Sequence, residues 1–214
     1  MTKPIVEYKV LVTPVFEWNH AAINATNEDG TRKYRYIIDE GSSRSSKTQS
    51  LIQIIHKYGL QNNGKRLSVW RDTKKDCRDT VGHDVSRIFP KLPFAEKITF
   101  NKTEAIYTFP GGSTFEINGT DEPNKLHGYN CDVSWFNEPY SISRDTFDQL
   151  DMRTNDFVII DWNPKMAHWI DELKKDPRTI VIKSTFRDNP YCPPEQKAKI
   201  LSYQPVKSCA VITK

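Results

Sequence analysis

Residues 34–51, YRYIIDEGSSRSSKTQSL, admit few folds. An apolar run (Tyr36, Ile37, Ile38) leads into Gly41-Ser42-Ser43-Arg44-Ser45-Ser46-Lys47-Thr48, and apolar residues recur at Leu51, Ile52, Ile54 and Ile55. The order is strand, small-residue loop, amphipathic helix. Backbone N–H groups of such a loop at a helix N-terminus converge on an anion, and the helix dipole adds favourable potential. The spacing suits a triphosphate: residues 41–48 wrap it, Lys47 reaches the β- and γ-phosphates of ATP, and the Thr48 hydroxyl ligates Mg²⁺. One position departs from the pattern G-x-x-x-x-G-K-[ST], because Ser46 stands where the second glycine is expected. The competing reading is a serine-rich turn that merely ends in Lys-Thr, and the flanking strand and helix argue against it.

Upstream, residues 8–12 alternate as a short strand, and Pro14-Val15-Phe16-Glu17-Trp18-Asn19-His20 is rich in aromatic and amide groups. Trp18 and Asn19 are candidates to stack on and hydrogen-bond a base; the alternative is a loop packing Phe16 and Trp18 on the core. Downstream, residues 48–59 form the helix and residues 66–70 a second buried strand. A charged segment, residues 71–78, then opens a helix to about residue 89. Its charges form a solvated face, contact DNA, or present an arginine to a neighbouring subunit. Three short antiparallel strands follow in residues 97–118, turned by Pro110-Gly111-Gly112. A short helix spans residues 121–128, where His127 reads as structural.

The second anchor is Cys131-Asp132-Val133-Ser134-Trp135-Phe136-Asn137-Glu138-Pro139. A carboxylate at the C-terminal end of a strand lies where an open α/β sheet binds its ligands. Glu138 there can polarise the water that attacks a γ-phosphate, with Asn137 facing the Mg²⁺ shell. Asn137 occupies the place where such sites commonly carry Asp, so it offers a carbonyl oxygen without charge. A helix from Ser143, a turn at Asn155-Asp156 and a strand at Phe157-Val158-Ile159-Ile160 follow, ending in Asp161-Trp162-Asn163-Pro164. Residues 167–175 suit a helix, 179–184 a fifth strand and 194–203 a last helix. Strands alternating with helices, apart from one hairpin insertion, give an α/β fold: a mostly parallel sheet flanked by helices, the P-loop NTPase architecture of the RecA-like branch. A P-loop core over residues 1–170 and a small lid or linker over 171–214 complete the expected organisation.

Taken in order, these motifs resemble the ATPase domain of the large terminase subunit of tailed bacteriophages. The resemblance rests on the arginine-containing loop at residues 41–48, on Asn137-Glu138-Pro139, on Asn163-Pro164-Lys165-Met166-Ala167-His168-Trp169, and on Ser184-Thr185-Phe186-Arg187-Asp188-Asn189-Pro190. It implies that Lys47 and Thr48 bind phosphate and Mg²⁺, Glu138 activates water, and Arg44 acts as a finger in cis. Asn163 and Thr185 would couple hydrolysis to movement, and Arg71, Arg78 or Arg144 would serve a neighbour in trans. Double-stranded DNA, a portal and procapsid, a small terminase subunit and a homo-oligomeric ring are the implied partners, with a monomer in isolation. No second set of carboxylates after strands appears, so nuclease activity is not expected of this chain.

Composition separates the remaining classes. The net charge of +4 permits contact with nucleic acid without requiring it. The hydrophobic share of 37% and mean hydropathy of −0.65 suggest a surface that meets partners. No apolar run nears the roughly 18 residues that span a bilayer, nor is there a signal-peptide core, which points to host cytoplasm. Cys77, Cys131, Cys192 and Cys209 lack metal-ligand spacing. A helicase-like or recombinase-like ATPase, and a nucleotide-binding DNA-end-recognition module with little turnover, are the alternatives.

Overall fold

The computed structural model describes residues 10–121 and 128–203. Eight strands make one sheet: β1 (Tyr36–Gly41), β2 (Arg66–Arg71), β3 (Thr99–Asn101), β4 (Ile106–Thr108), β5 (Thr114–Gly119), β6 (Cys131–Asn137), β7 (Thr154–Trp162) and β8 (Thr179–Ser184), in the order β3-β4-β5-β2-β6-β7-β1-β8. From β5 to β8 every pairing is parallel. Parallel strands are covered on both faces, and their sequences are accordingly near-continuous apolar runs.

The two faces separate by alternation. Ile37, Trp135 and Ile159 join one core with Leu51, Ile52 and Ile55 of α2 (Lys47–Gln61). Ile38, Phe136 and Ile160 join a second core with Phe147 and Leu150 of α5 (Arg144–Asp151). Phe147 is completely buried, and burying one such side chain contributes about 1.5–3 kcal/mol. Ser143 caps α5 by accepting from the Thr146 amide. On the first face, α1 (Pro14–Asn24) packs beside α2, and α3 (Lys74–Cys77) runs through a π-helical turn, Arg78–Gly82, into α4 (His83–Ile88). Two further helices, α6 (Ile170–Leu173) and α7 (Pro194–Ser202), complete the α-helices among the described residues.

Several expectations require correction. The aromatic and amide-rich stretch is helix α1, opened by Pro14 in its first turn, with Val15, Asn19, Ala22 and Ile23 as its buried stripe. Asn155 and Asp156 belong to β7 rather than to a turn. There Asp156 is anchored by Lys65 at 2.8 Å and by the Tyr58 hydroxyl at 2.8 Å. The three strands expected in residues 97–118 are antiparallel to one another, β3 with β4 and β4 with β5; what the expectation lacked is that β5 also pairs in parallel with β2, from Arg66↔Thr114 to Arg71↔Gly119, and so belongs to the main sheet. The sheet also continues past residue 170, since β8 pairs with β1 along its whole length. The helix expected at residues 167–175 is confined to α6. Residues 10–12 form no strand, and the expected helix at residues 121–128, with His127, lies mostly outside the described residues.

Candidate nucleotide-binding site

β1, β7 and β6 end at the same edge of the sheet, and their tips carry the candidate groups. At Gly41 a Cβ would collide with the Ser184 carbonyl oxygen of β8, so only glycine permits this approach. The Ser42 amide then donates to the same oxygen at 3.2 Å. Arg44 and Ser46 both adopt left-handed backbone, with φ of 69° and 73°. Ser46 thus takes the conformation that a glycine would supply freely, at a cost of about 1–2 kcal/mol. Its hydroxyl bonds Thr13 at 2.9 Å, and Thr13 also bonds Ser50 at 3.0 Å, tying the start of α1 to the first turn of α2. Ser46 makes no side-chain cap on α2, so the first amides of that helix are left to an anion.

Ser42, Ser43 and Arg44 are exposed, Thr48 is half-buried, and Ser45 and Lys47 are buried. Lys47 Nζ donates to the carbonyl oxygens of Gly41 (2.8 Å) and Ser42 (3.2 Å), to Ser45 Oγ (3.4 Å) and to Asn163 Oδ1 (2.8 Å). Burial pulls its pKa below the usual lysine value, while Asp161, Asp39 and Glu138 oppose that shift. Asn163, from the tip of β7, therefore holds the phosphate-loop lysine directly. The Asn163 backbone is in turn clasped by the Tyr140 hydroxyl, which accepts from its N–H at 3.1 Å and donates to its carbonyl at 2.9 Å.

β7 lies between β1 and β6. At about 4.8 Å per strand, the phosphate loop and the tip of β6 are roughly 10 Å apart, room for a terminal phosphate and a water. Glu138 stands at that tip with φ 47°, its side chain partly exposed, its amide donating to the Asp161 carbonyl at 2.8 Å. Arg71, expected as a candidate for a neighbouring subunit, faces this site in its own chain. Its guanidinium reaches Asn137 Oδ1 at 3.0 Å, Thr80 Oγ1 at 3.0 Å, Asp76 Oδ2 at 2.7 Å and Glu138 Oε2 at 3.5 Å. Arg78 instead donates to the carbonyls of Lys102 and Thr103, and Arg144 to Asp148 on its own helix.

Two carboxylates are buried beside the site: Asp161, named in the sequence only as part of a polar strand end, and Asp39, which was not singled out. Asp39 and Asp161 are register partners on β1 and β7, and both are fully buried. Asp161 accepts from Trp135 Nε1 at 2.6 Å and from Asn137 Nδ2 at 2.9 and 3.0 Å, while burial pushes its pKa up. Asp39 accepts from Asn19 Nδ2 at 3.0 Å, and burial pushes its pKa up to about 8. The Asn19 amide is thus spent on Asp39 and on the Val15 carbonyl, and Trp18 lies on the outer face of α1, 41% exposed. Thr185 caps a short turn after β8 by accepting from the Arg187 amide, and Asn189 of the same motif, to which no role was assigned, donates to the Arg44 carbonyl at 2.9 Å.

The donor set suits Mg²⁺ held chiefly by phosphate and water: one hydroxyl at Thr48, one amide oxygen at Asn137, one carboxylate at Glu138. No cluster of three or more His, Cys, Asp or Glu side chains able to hold a metal occurs among the described residues. Nor is any helix among them long and apolar enough to cross a membrane.

No curated protein matches the sequence. Among solved structures, the large terminase of a thermophilic bacteriophage superposes with a TM-score of 0.74 at 15% identity, covering 91% of this chain and 51% of that one. The same enzyme in complex with ATP-gamma-S gives 0.70 at 16% identity, covering 91% and 50%. The large terminase ATPase domain of Thermus phage P74-26 gives 0.61 at 13% identity, covering 92% and 95%. The fold is therefore that of a large terminase ATPase domain, and the chain spans about half the length of the first of these proteins. The sequence agrees with the fold: residues 33–208, which include every tip residue of the site, match the family described as phage terminase large subunit, and this chain belongs to that family.

Proposed function

We propose that this chain is the ATP-hydrolysing motor of a viral DNA-packaging terminase, working in the host cytoplasm and moving double-stranded DNA into procapsids. The observation that carries the proposal is the placement of Lys47 and Glu138 on either side of the β7 tip, with Asn163 bonded to Lys47 between them. Binding of the triphosphate draws on the free amides at the start of α2 and on Lys47, which exchanges its Asn163 partner for phosphate oxygens. Thr48 and Asn137 would hold Mg²⁺, which would supply charge neutralisation at the phosphates. Glu138 takes the proton of the attacking water, and Arg44, exposed on the loop, meets charge developing on the γ-phosphate.

Arg71 restrains Glu138 and Asn137 from the side of α3 and the π-helical turn, an irregularity that often accompanies function. Release of Asn163 from Lys47 on nucleotide binding, and rearrangement of Thr185 beside Gly41, couple the site to movement. The protein operates as a homo-oligomeric ring on a portal and procapsid with a small terminase subunit, and is a monomer alone. Contacts to DNA go mainly to phosphates, since a packaging motor must ignore sequence.

The test is phosphate release by the purified chain with Mg²⁺, with and without duplex DNA, beside thermal unfolding with ATP. Turnover above background and protection by ATP support the proposal. Absence of both refutes it.

A further inference from the structure

The nucleotide-site reading leaves one deficit: Asn137 brings no charge where a carboxylate is expected. We infer that Asp161 is the positioning residue that makes good this deficit from the neighbouring strand, acting through the Asn137 amide. The inference rests on the ATPase reading for its context and on the following geometry for its content.

Asn137 and Asp161 are direct register partners at the tips of β6 and β7, and both are buried. Asn137 Nδ2 donates to both carboxylate oxygens, at 2.9 and 3.0 Å, and Trp135 Nε1 donates to Oδ1 at 2.6 Å. On the other side Arg71, which can only donate, donates a hydrogen bond to Asn137 Oδ1 at 3.0 Å. A pure donor on one side and a charged acceptor on the other leave the amide a single orientation. Its carbonyl oxygen is turned away from Asp161, and the hydrogen bonds to the carboxylate polarise the amide so that this oxygen carries extra negative charge. Lys47 lies within electrostatic reach of the same carboxylate. Burial works against ionisation of Asp161, and the three N–H donors on its oxygens together with Lys47 work for it; the ionised carboxylate then serves both the phosphate-loop lysine and the amide beside Glu138.

The arrangement has a mirror image that satisfies every partner. With the carboxylate moved to β6 and the amide to β7, the amide carbonyl would accept from Trp135, its NH₂ would donate across to the carboxylate, and Arg71 would face a full negative charge. The test is therefore a charge swap, comparing wild type, Asn137→Asp, Asp161→Asn and the double variant. Three readouts apply: thermal unfolding without nucleotide or Mg²⁺, the gain in ATP affinity on adding Mg²⁺ measured by calorimetry, and kcat.

Asn137→Asp alone sets two buried carboxylates against each other and should lower Tm. Asp161→Asn alone should lower kcat about tenfold or more and abolish the Mg²⁺-dependent gain in affinity, with metal-free ATP binding changed less than about threefold. The double variant should recover most of the loss in all readouts, the non-additivity expected of a contacting pair. Wild-type kcat in Asp161→Asn, or additive losses in the double variant, would overturn the inference. Recovery of Tm without recovery of the Mg²⁺ response would overturn it too, because a purely structural pair gives that result. If wild type fails to turn over ATP, the ATPase reading falls, and the Mg²⁺ dependence of affinity still decides this proposal.

Discussion

Replacing Asp39 by Asn should change how stability depends on pH, by an amount the site geometry dictates. Asp39 is completely buried, Oδ1 accepts from Asn19, and Oδ2 has no hydrogen-bond partner. Burial raises its pKa from 3.8 to about 8; the Asn19 hydrogen bond opposes this, Asp161 adds to it and Lys47 opposes it. Between about pH 4 and pH 8 the folded chain keeps a proton that the unfolded chain has lost. The folded state binds more protons in that window, so stability falls as pH rises, by about 1.4 kcal/mol per pH unit from this group alone. Asn cannot ionise and fills the same space. Urea unfolding of wild type and Asp39→Asn at pH 5, 6 and 7, at fixed ionic strength, isolates the contribution as a difference. That difference should move by about 3 kcal/mol in favour of the variant across the range, with unchanged m-values. A difference constant to within about 0.5 kcal/mol would refute a proton held on Asp39.

Three further substitutions probe other parts of the account. Gly41→Ala places a Cβ against the Ser184 carbonyl oxygen and should destabilise the fold by about 3 kcal/mol, read from denaturant midpoints; a loss under about 0.5 kcal/mol would contradict the close approach. Arg71→Ala should lower kcat at least about tenfold, and Arg71→Lys should fail to restore it, since a point charge cannot bridge Asn137, Thr80 and Asp76 together; full rescue by Lys would contradict the clamp. Arg44→Ala should lower kcat more than it raises KM in steady-state assays if the side chain acts on the transition state; a pure KM effect would place it in ground-state binding.

The parts of the fold legible in the sequence are those fixed by local pattern. The strand, loop and helix from Tyr36 onward, and the strands ending at Asn137 and Ser184, followed from apolar runs bounded by small or polar residues. Helix α1 was missed although its signals were present: Pro14 in the first turn and Val15, Asn19, Ala22 and Ile23 at helical spacing. Its aromatic content drew attention from its period. The parallel placement of β5 depends on which neighbour a strand selects, which a hairpin-like sequence does not encode.

At the site, the placement of the loop and of Glu138 at one edge of the sheet was readable from motif spacing. Asp39 was not legible, and Asp161 was visible only as one polar residue at the end of an apolar strand, because burial of either acid depends on which strands lie beside it. Only the sheet register places the two together in the interior. Arg71 looked like part of a solvated charged stretch for the same reason: its partners Asn137 and Glu138 are distant in sequence and adjacent only across β2 and β6.

The central claim is that Glu138 activates water for attack on a triphosphate held at Lys47. Glu138→Gln keeps the shape and removes the base, so the decisive measurement is kcat for this variant beside its ATP affinity. The account predicts turnover reduced by about 10²–10⁴-fold, the usual contribution of a positioned base, with ATP binding within about threefold of wild type. Turnover at the wild-type rate would contradict it.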